Sequence, residues 1–180
     1  MDLNDGTDLA ALHQGIVDTL GAAFPGIHWE FYREDRKNLP LGDGTDKPRA
    51  YGLLQLAEMD SAEADPGTEQ KALMARFECE LVTKGLGVPD AKLQVRVLAG
   101  SVAAYLQKRG RWPGALNGNI QVAGCYPDDF SPELDQYEVW RVDWVQEVWL
   151  GEGVWKNTGT LPTQVFMRYV PTGETTQVAP

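Results

Sequence analysis

Hydrophobic and polar positions alternate with period two along Tyr137–Leu150, YEVWRVDWVQEVWL. The even positions carry Trp140, Val142, Trp144, Val148 and Leu150; the odd positions include Arg141, Asp143 and Glu147. The pattern predicts a strand with one apolar and one mixed face. Fully extended, it spans roughly 46 Å at ~3.3 Å per residue, about twice an ordinary strand. A strand that long bends across a large sheet or projects past its own core towards another subunit. Trp140, Val142, Trp144 and Val148 are expected to face helices, near Leu12, Ile16, Leu98 and Val102.

The same reading extends along the chain. Leu9, Leu12, Ile16, Leu20 and Phe24 recur at helical spacing and predict a helix over 8–24, capped by Thr7 or Asp8. Ile27, Trp29 and Phe31 alternate with His28, Glu30 and Tyr32, which predicts a strand. Residues 35–47 are a polar loop, 49–59 a second strand, and 60–68, with Pro66 and Gly67, a turn or protruding tip. Over 71–82, Leu73, Ala75, Phe77, Cys79 and Leu81 oppose Arg76, Glu78 and Glu80. Pro89 is placed at the opening of a second helix, with the stripe Val95, Leu98, Val102, Tyr105, Leu106 and a stop at Gly110. A strand around Ile120 and Val122 precedes the loop 127–136. After Gly151 only 163–170 has strand character, and 171–180 reads as frayed.

Short connections favour antiparallel neighbours. The expected fold is α+β: a mostly antiparallel sheet of about five strands packed against two helices, with extended loops and a C-terminal arm. The division is a domain over 1–152 and an arm over 153–180.

Composition narrows the function. With 43% hydrophobic residues and six tryptophans, the 180 residues suit a folded domain with a sizeable core. The net charge of -10 disfavours tight nucleic-acid binding. Two distant cysteines, Cys79 and Cys125, read as reduced, core or half-buried thiols. The N-terminus is acidic and lacks the basic region of a signal peptide, and no apolar run reaches the ~18 residues of a membrane helix.

Catalytic chemistry has no strong nominee. His13 and His28 read as surface histidines. Asp128, Asp129, Glu133 and Asp135 form an acidic loop without calcium-site spacing. The loop Gly42, Asp43, Gly44, Thr45, Asp46, Lys47 lacks the phosphate-loop motif. Lys108, Arg109 and Arg111 beside Trp112 read as a solvated helix cap rather than a base-stacking platform. The chain is expected not to be an enzyme and to need no cofactor or metal.

The turn Tyr126, Pro127, Asp128, Asp129, Phe130 and the following strand, closing on Gly151 and Glu152, resemble the lambda-type tail terminator proteins of long-tailed bacteriophages. The order of the other elements over 8–152 is similar to that family. The resemblance implies a virion protein, assembled in the bacterial cytoplasm, that forms a hexameric ring on the tail. Its implied partners are further copies of the chain, the tail tube protein and a head-side neck or connector protein. DNA would pass through the lumen without specific binding, and no membrane is involved. Polar, Gly- and Pro-rich segments are the expected means of reaching neighbours. They place interface candidates at Arg36, Lys37, Asp43 and Asp46 in the loop, Asp65 in the tip, and Val165, Phe166 and Tyr169 in the arm. Another head–tail connector or tail completion protein is the alternative within this class. A small ligand-binding or hydrolase α+β domain is the alternative outside it.

Overall fold

The first helix begins where a side chain can take its free amides. In the computed structural model, α1 (Leu9–Ala23) is capped by Asp8, whose carboxylate accepts from the Ala10 and Ala11 amides at 2.9 and 3.2 Å. Leu12, Ile16 and Leu20 are its buried stripe. The structure describes residues 6–63, 67, 69–85, 90–113, 118–128, 134 and 136–151, and the backbone of 165–168 and 175–179.

The strands β1 (Ile27–Phe31), β2 (Ala50–Ser61), β3 (Lys71–Lys84), β4 (Gln121–Pro127) and β5 (Tyr137–Leu150) form one sheet in the order β1-β2-β3-β5-β4. The helix α2 (Ala91–Arg109) lies between β3 and β4 in sequence. The fold is α+β, with a mostly antiparallel five-stranded sheet and two helices. The pairing of β3 with β5 runs from Lys71 opposite Leu150 to Lys84 opposite Tyr137, so each strand is matched along its whole length. The long strand therefore crosses its own sheet, beside a partner just as long.

One pairing departs from the sequence expectation: β1 and β2 are parallel. The connection 32–49 is long enough to carry the chain back to the starting edge, which a tight turn cannot do. Trp29 stands opposite Gly52, and a Cβ there would come within 2.1 Å of the indole. Glycine at that position leaves room for the ring against β2.

The principal core lies between the helices and one sheet face. It joins Leu12, Ile16, Val102 and Leu106 to Phe77, Leu81, Val142, Trp144 and Val148. Trp144 is fully buried and stacks on Phe77, with centroids 5.4 Å apart and planes 11° from parallel. Trp140 and Leu98 are half-buried against this core. A smaller cluster, Leu39, Tyr51, Leu53, Val82 and Leu134, lies apart from it. The loop 32–49 contributes Leu39 and Leu41 to that cluster, so it is less purely polar than its composition implies.

Two boundaries move. The second helix starts at Ala91 behind Asp90, later than the expected opening at Pro89, which itself lies outside the described residues. It ends at Gly110 as expected, in the left-handed region at φ 79°. At the C-terminus, β6 (Val165–Arg168) pairs antiparallel with β7 (Thr175–Ala179) as a separate two-stranded sheet. The expected fraying over 171–180 is corrected at Thr175–Ala179, where β7 pairs with β6. That pairing occupies one of the two backbone edges of β6 within the same chain.

Candidate interaction surfaces

The helix-free face of the sheet carries a charge network. It comes from the odd positions of β5 and the even positions of β3, whose period-two alternation sends them away from the helices. Asp143 is at its centre and has no exposed surface. Tyr126, on β4, donates its hydroxyl hydrogen bond to the Asp143 carboxylate. Arg141 approaches the same carboxylate at 3.1 Å, and Arg76 at 3.4 Å. Arg141 also pairs with Glu78 at 3.5 Å, and Arg76 reaches Glu58 at 3.9 Å. The hydrogen bond to Asp143, then its charge, raises the Arg76 pKa. Burial works against the Arg141 charge, but the bond to Tyr126 and the carboxylates of Asp143 and Glu78 outweigh it and raise that pKa too. The Asp143 carboxylate is the acceptor that Tyr126, Arg76 and Arg141 share. The sequence showed an acidic residue on a mixed face; cross-strand neighbours from β3 and β4 are what bury it.

A second feature is an open cleft of about 630 Å³ between α1 and the β1 edge. Leu9, Ala10, Val17, Trp29, Phe31 and Leu56 supply its apolar lining. His13 stands in it, half-buried, and corrects the expectation of a surface histidine. Its Nδ1 donates to the Leu9 carbonyl, and its Nε2 lies 2.9 Å from the Tyr32 hydroxyl. Its ring lies 4.1 Å from that of Phe31. Tyr32 is 58% exposed and adopts φ 54°, a left-handed conformation that costs a bulky residue energy. His28 is exposed, as expected, with its ring edge-on to Tyr51.

The interface candidates divide. Arg36 is committed internally, since its guanidinium pairs with the buried carboxylate of Glu80. Lys37 is exposed, and its carbonyl accepts from the Gln136 amide and, at 2.9 Å, the Tyr137 hydroxyl. Asp43 and Asp46 are exposed. The Asp43 carboxylate accepts from the hydroxyl and amide of Thr45, which lower its pKa. Asp65 and Tyr169 lie outside the described residues, as do the side chains of Val165 and Phe166.

The remaining chemistry is limited. Among the described residues no group of three or more His, Cys, Asp or Glu is arranged to hold a metal ion. Of the acidic loop, Asp128 is described, while Asp129, Glu133 and Asp135 lie outside. In the glycine loop, the Gly42 and Gly44 amides donate at 2.9 Å to the Pro48 and Lys47 carbonyls, so they close a turn rather than present donors to phosphate. Trp112 is a core residue, 2% exposed, with Arg109 5.7 Å above its ring, which leaves no platform for a base. Cys79 is buried and its thiol pKa is pushed up by desolvation. Cys125 is exposed, unlike the core or half-buried thiol expected, and Trp140 Nε1 donates to its sulfur at 3.2 Å. Among the described residues no helix is long and apolar enough to cross a membrane.

The domain is thus an α+β unit with one helix-covered sheet face, one ion-paired face and an apolar cleft at its β1 edge. No protein-family model matches the chain, and no curated protein matches it.

Proposed function

We propose that this chain is a structural virion protein that forms a ring on a phage tail tube, stops tube polymerisation and joins the tail to the head-side neck. The observation that supports this most is the 14-residue strand β5, matched along its length by β3 and following the turn that begins at Tyr126 and Pro127. That pair of strands, within the order helix, three strands, helix, two strands, carries the likeness to the lambda-type terminators. The charged groups of the sheet face fit a structural role, since they are spent on one another. The ring is a hexamer of this chain, in contact with tube protein on one side and a neck protein on the other. An acidic subunit, at net charge -10, suits a lumen through which DNA slides without sticking.

The test is a tube-assembly assay. Purified chain is added to polymerising tube protein from the same phage, and tube lengths are measured by electron microscopy. Capping predicts that elongation stops at one end and that the added protein sits there. Tubes that elongate equally with and without it would refute the reading.

A further inference from the structure

Among the described residues two surfaces are open, one convex and one concave, and they differ in charge. The first is a ridge on α2. Its buried stripe, Val95, Ala99, Val102 and Leu106, faces the core. On the opposite side, Leu93 is 59% and Val97 60% exposed, one turn apart. Gly100 and Ala104 continue the same line at helical spacing, and a Cβ built at Gly100 would meet no atom within 4 Å. The second surface is the cleft between α1 and β1, concave and lined by Leu9, Val17, Phe31 and Leu56.

Charge distinguishes the two. The helix α2 carries Lys92, Arg96, Lys108 and Arg109 and no acidic residue, in a chain of net charge -10. The helix α1 carries Asp18, with Asp8 as its cap, and no lysine or arginine. The apolar crest of α2 thus lies on a helix with net positive charge even with its cap Asp90, and the hollow lies beside a helix whose charged residues are Asp18 and its cap Asp8.

We propose that the α2 ridge of one copy of this chain docks in the α1–β1 cleft of the next. Leu93 and Val97 enter the hollow, Gly100 and Ala104 let the backbone approach, and the basic flanks lie along α1. The two patches differ, so the contact is heterologous and each copy keeps one patch free for a further neighbour. Repetition closes into a ring when the rotation between copies is a simple fraction of a turn. The inference rests on the ring reading above, for which it names the subunit contact.

The experiment uses the full chain with Val97→Asp on the ridge, Ala10→Lys at the cleft, and Gly100→Gln as a second ridge variant. Val97 and Ala10 are exposed. Gln at the open position of Gly100 favours the helix, so loss of association with an unchanged or raised melting temperature separates contact from fold. Sedimentation velocity over a concentration series should show the wild type associating. Each single variant should associate about 100-fold more weakly, because a charge is stranded in an apolar contact. Mixing Val97→Asp with Ala10→Lys should restore a one-to-one pairing, since one intact ridge then meets one intact cleft.

A wild type that stays monomeric throughout, single variants that assemble like wild type, or a mixture that does not pair would overturn the contact. So would an Ala10→Lys protein that still dimerises alone, which would mean ridge on ridge. Variants that cap tubes like wild type would sink this contact while the ring stands. The complementation pattern combined with uncapped tubes would uphold the contact and sink the ring reading.

Discussion

Replacing Asp143 by alanine removes the centre of the charge network. Asp143 is wholly buried and engaged by Tyr126, Arg141 and Arg76. Breaking a buried pair by deleting one partner costs about 3–5 kcal/mol when the other charge is left uncompensated. Here the compensation is partial. Arg141 keeps Glu78 at 3.5 Å and its hydrogen bond to Tyr126, and Arg76, 41% exposed, keeps Glu58 at 3.9 Å and water. The expected cost is therefore at the low end, about 3 kcal/mol. Arg76→Ala should cost under about 1 kcal/mol, because its side chain is exposed and Asp143 retains Arg141. Arg141→Ala should fall between the two. Urea unfolding followed by tryptophan fluorescence gives the differences, at matched slopes. The Arg141–Asp143 coupling from a double-mutant cycle should persist at high salt, since the carboxylate is shielded from it. An Asp143→Ala protein within about 0.5 kcal/mol of wild type, or an Arg76→Ala effect as large, would refute the reasoning.

Trp144→Ala should destabilise by about 3–5 kcal/mol, through loss of the largest fully buried side chain among the described residues and its stack on Phe77, read as a lowered melting temperature; an unchanged one would reverse the assignment of faces on β5. Of the two thiols, Cys125 should react with a disulfide reagent in the native state and Cys79 only on unfolding, and equal rates would contradict the burial. The Asp43 carboxyl should titrate below the ordinary aspartate value by NMR, chiefly through the Thr45 hydroxyl, and Thr45→Ala should move it back up. Because the folded pKa is the lower one, this turn's contribution to stability is present above the unfolded value and fades as pH falls through the folded value; a midpoint indifferent to Thr45→Ala would exclude the hydrogen bond as cause.

What the sequence disclosed was local. Strand β5 occupies Tyr137–Leu150 and α1 follows its capping aspartate because period and caps are properties of neighbouring residues. The face of β5 towards the helices followed from alternation alone, down to Val142, Trp144 and Val148. What it missed depended on distant partners. The parallel pairing of β1 with β2 is set by the path of 32–49, which has no periodic signal. The burial of Asp143 needs Tyr126 and Arg76 from two other strands. Arg36 looked free for an interface until β3 brought Glu80 beneath it. His13 looked solvated until Phe31 and Tyr32 packed beside it and left it half-buried. The pairing of β7 with β6 was hidden because Thr175–Ala179 is short and lies between turn-forming residues.

The central claim is a ring of this chain at the end of a tail tube. Cryo-electron microscopy of assembled tails, with the chain labelled at its exposed Cys125, tests it most directly. Six labels are expected in one ring at the head-proximal end of each tube. Labels spread along the tube, a copy number other than six, or tails that carry none of this chain would contradict it.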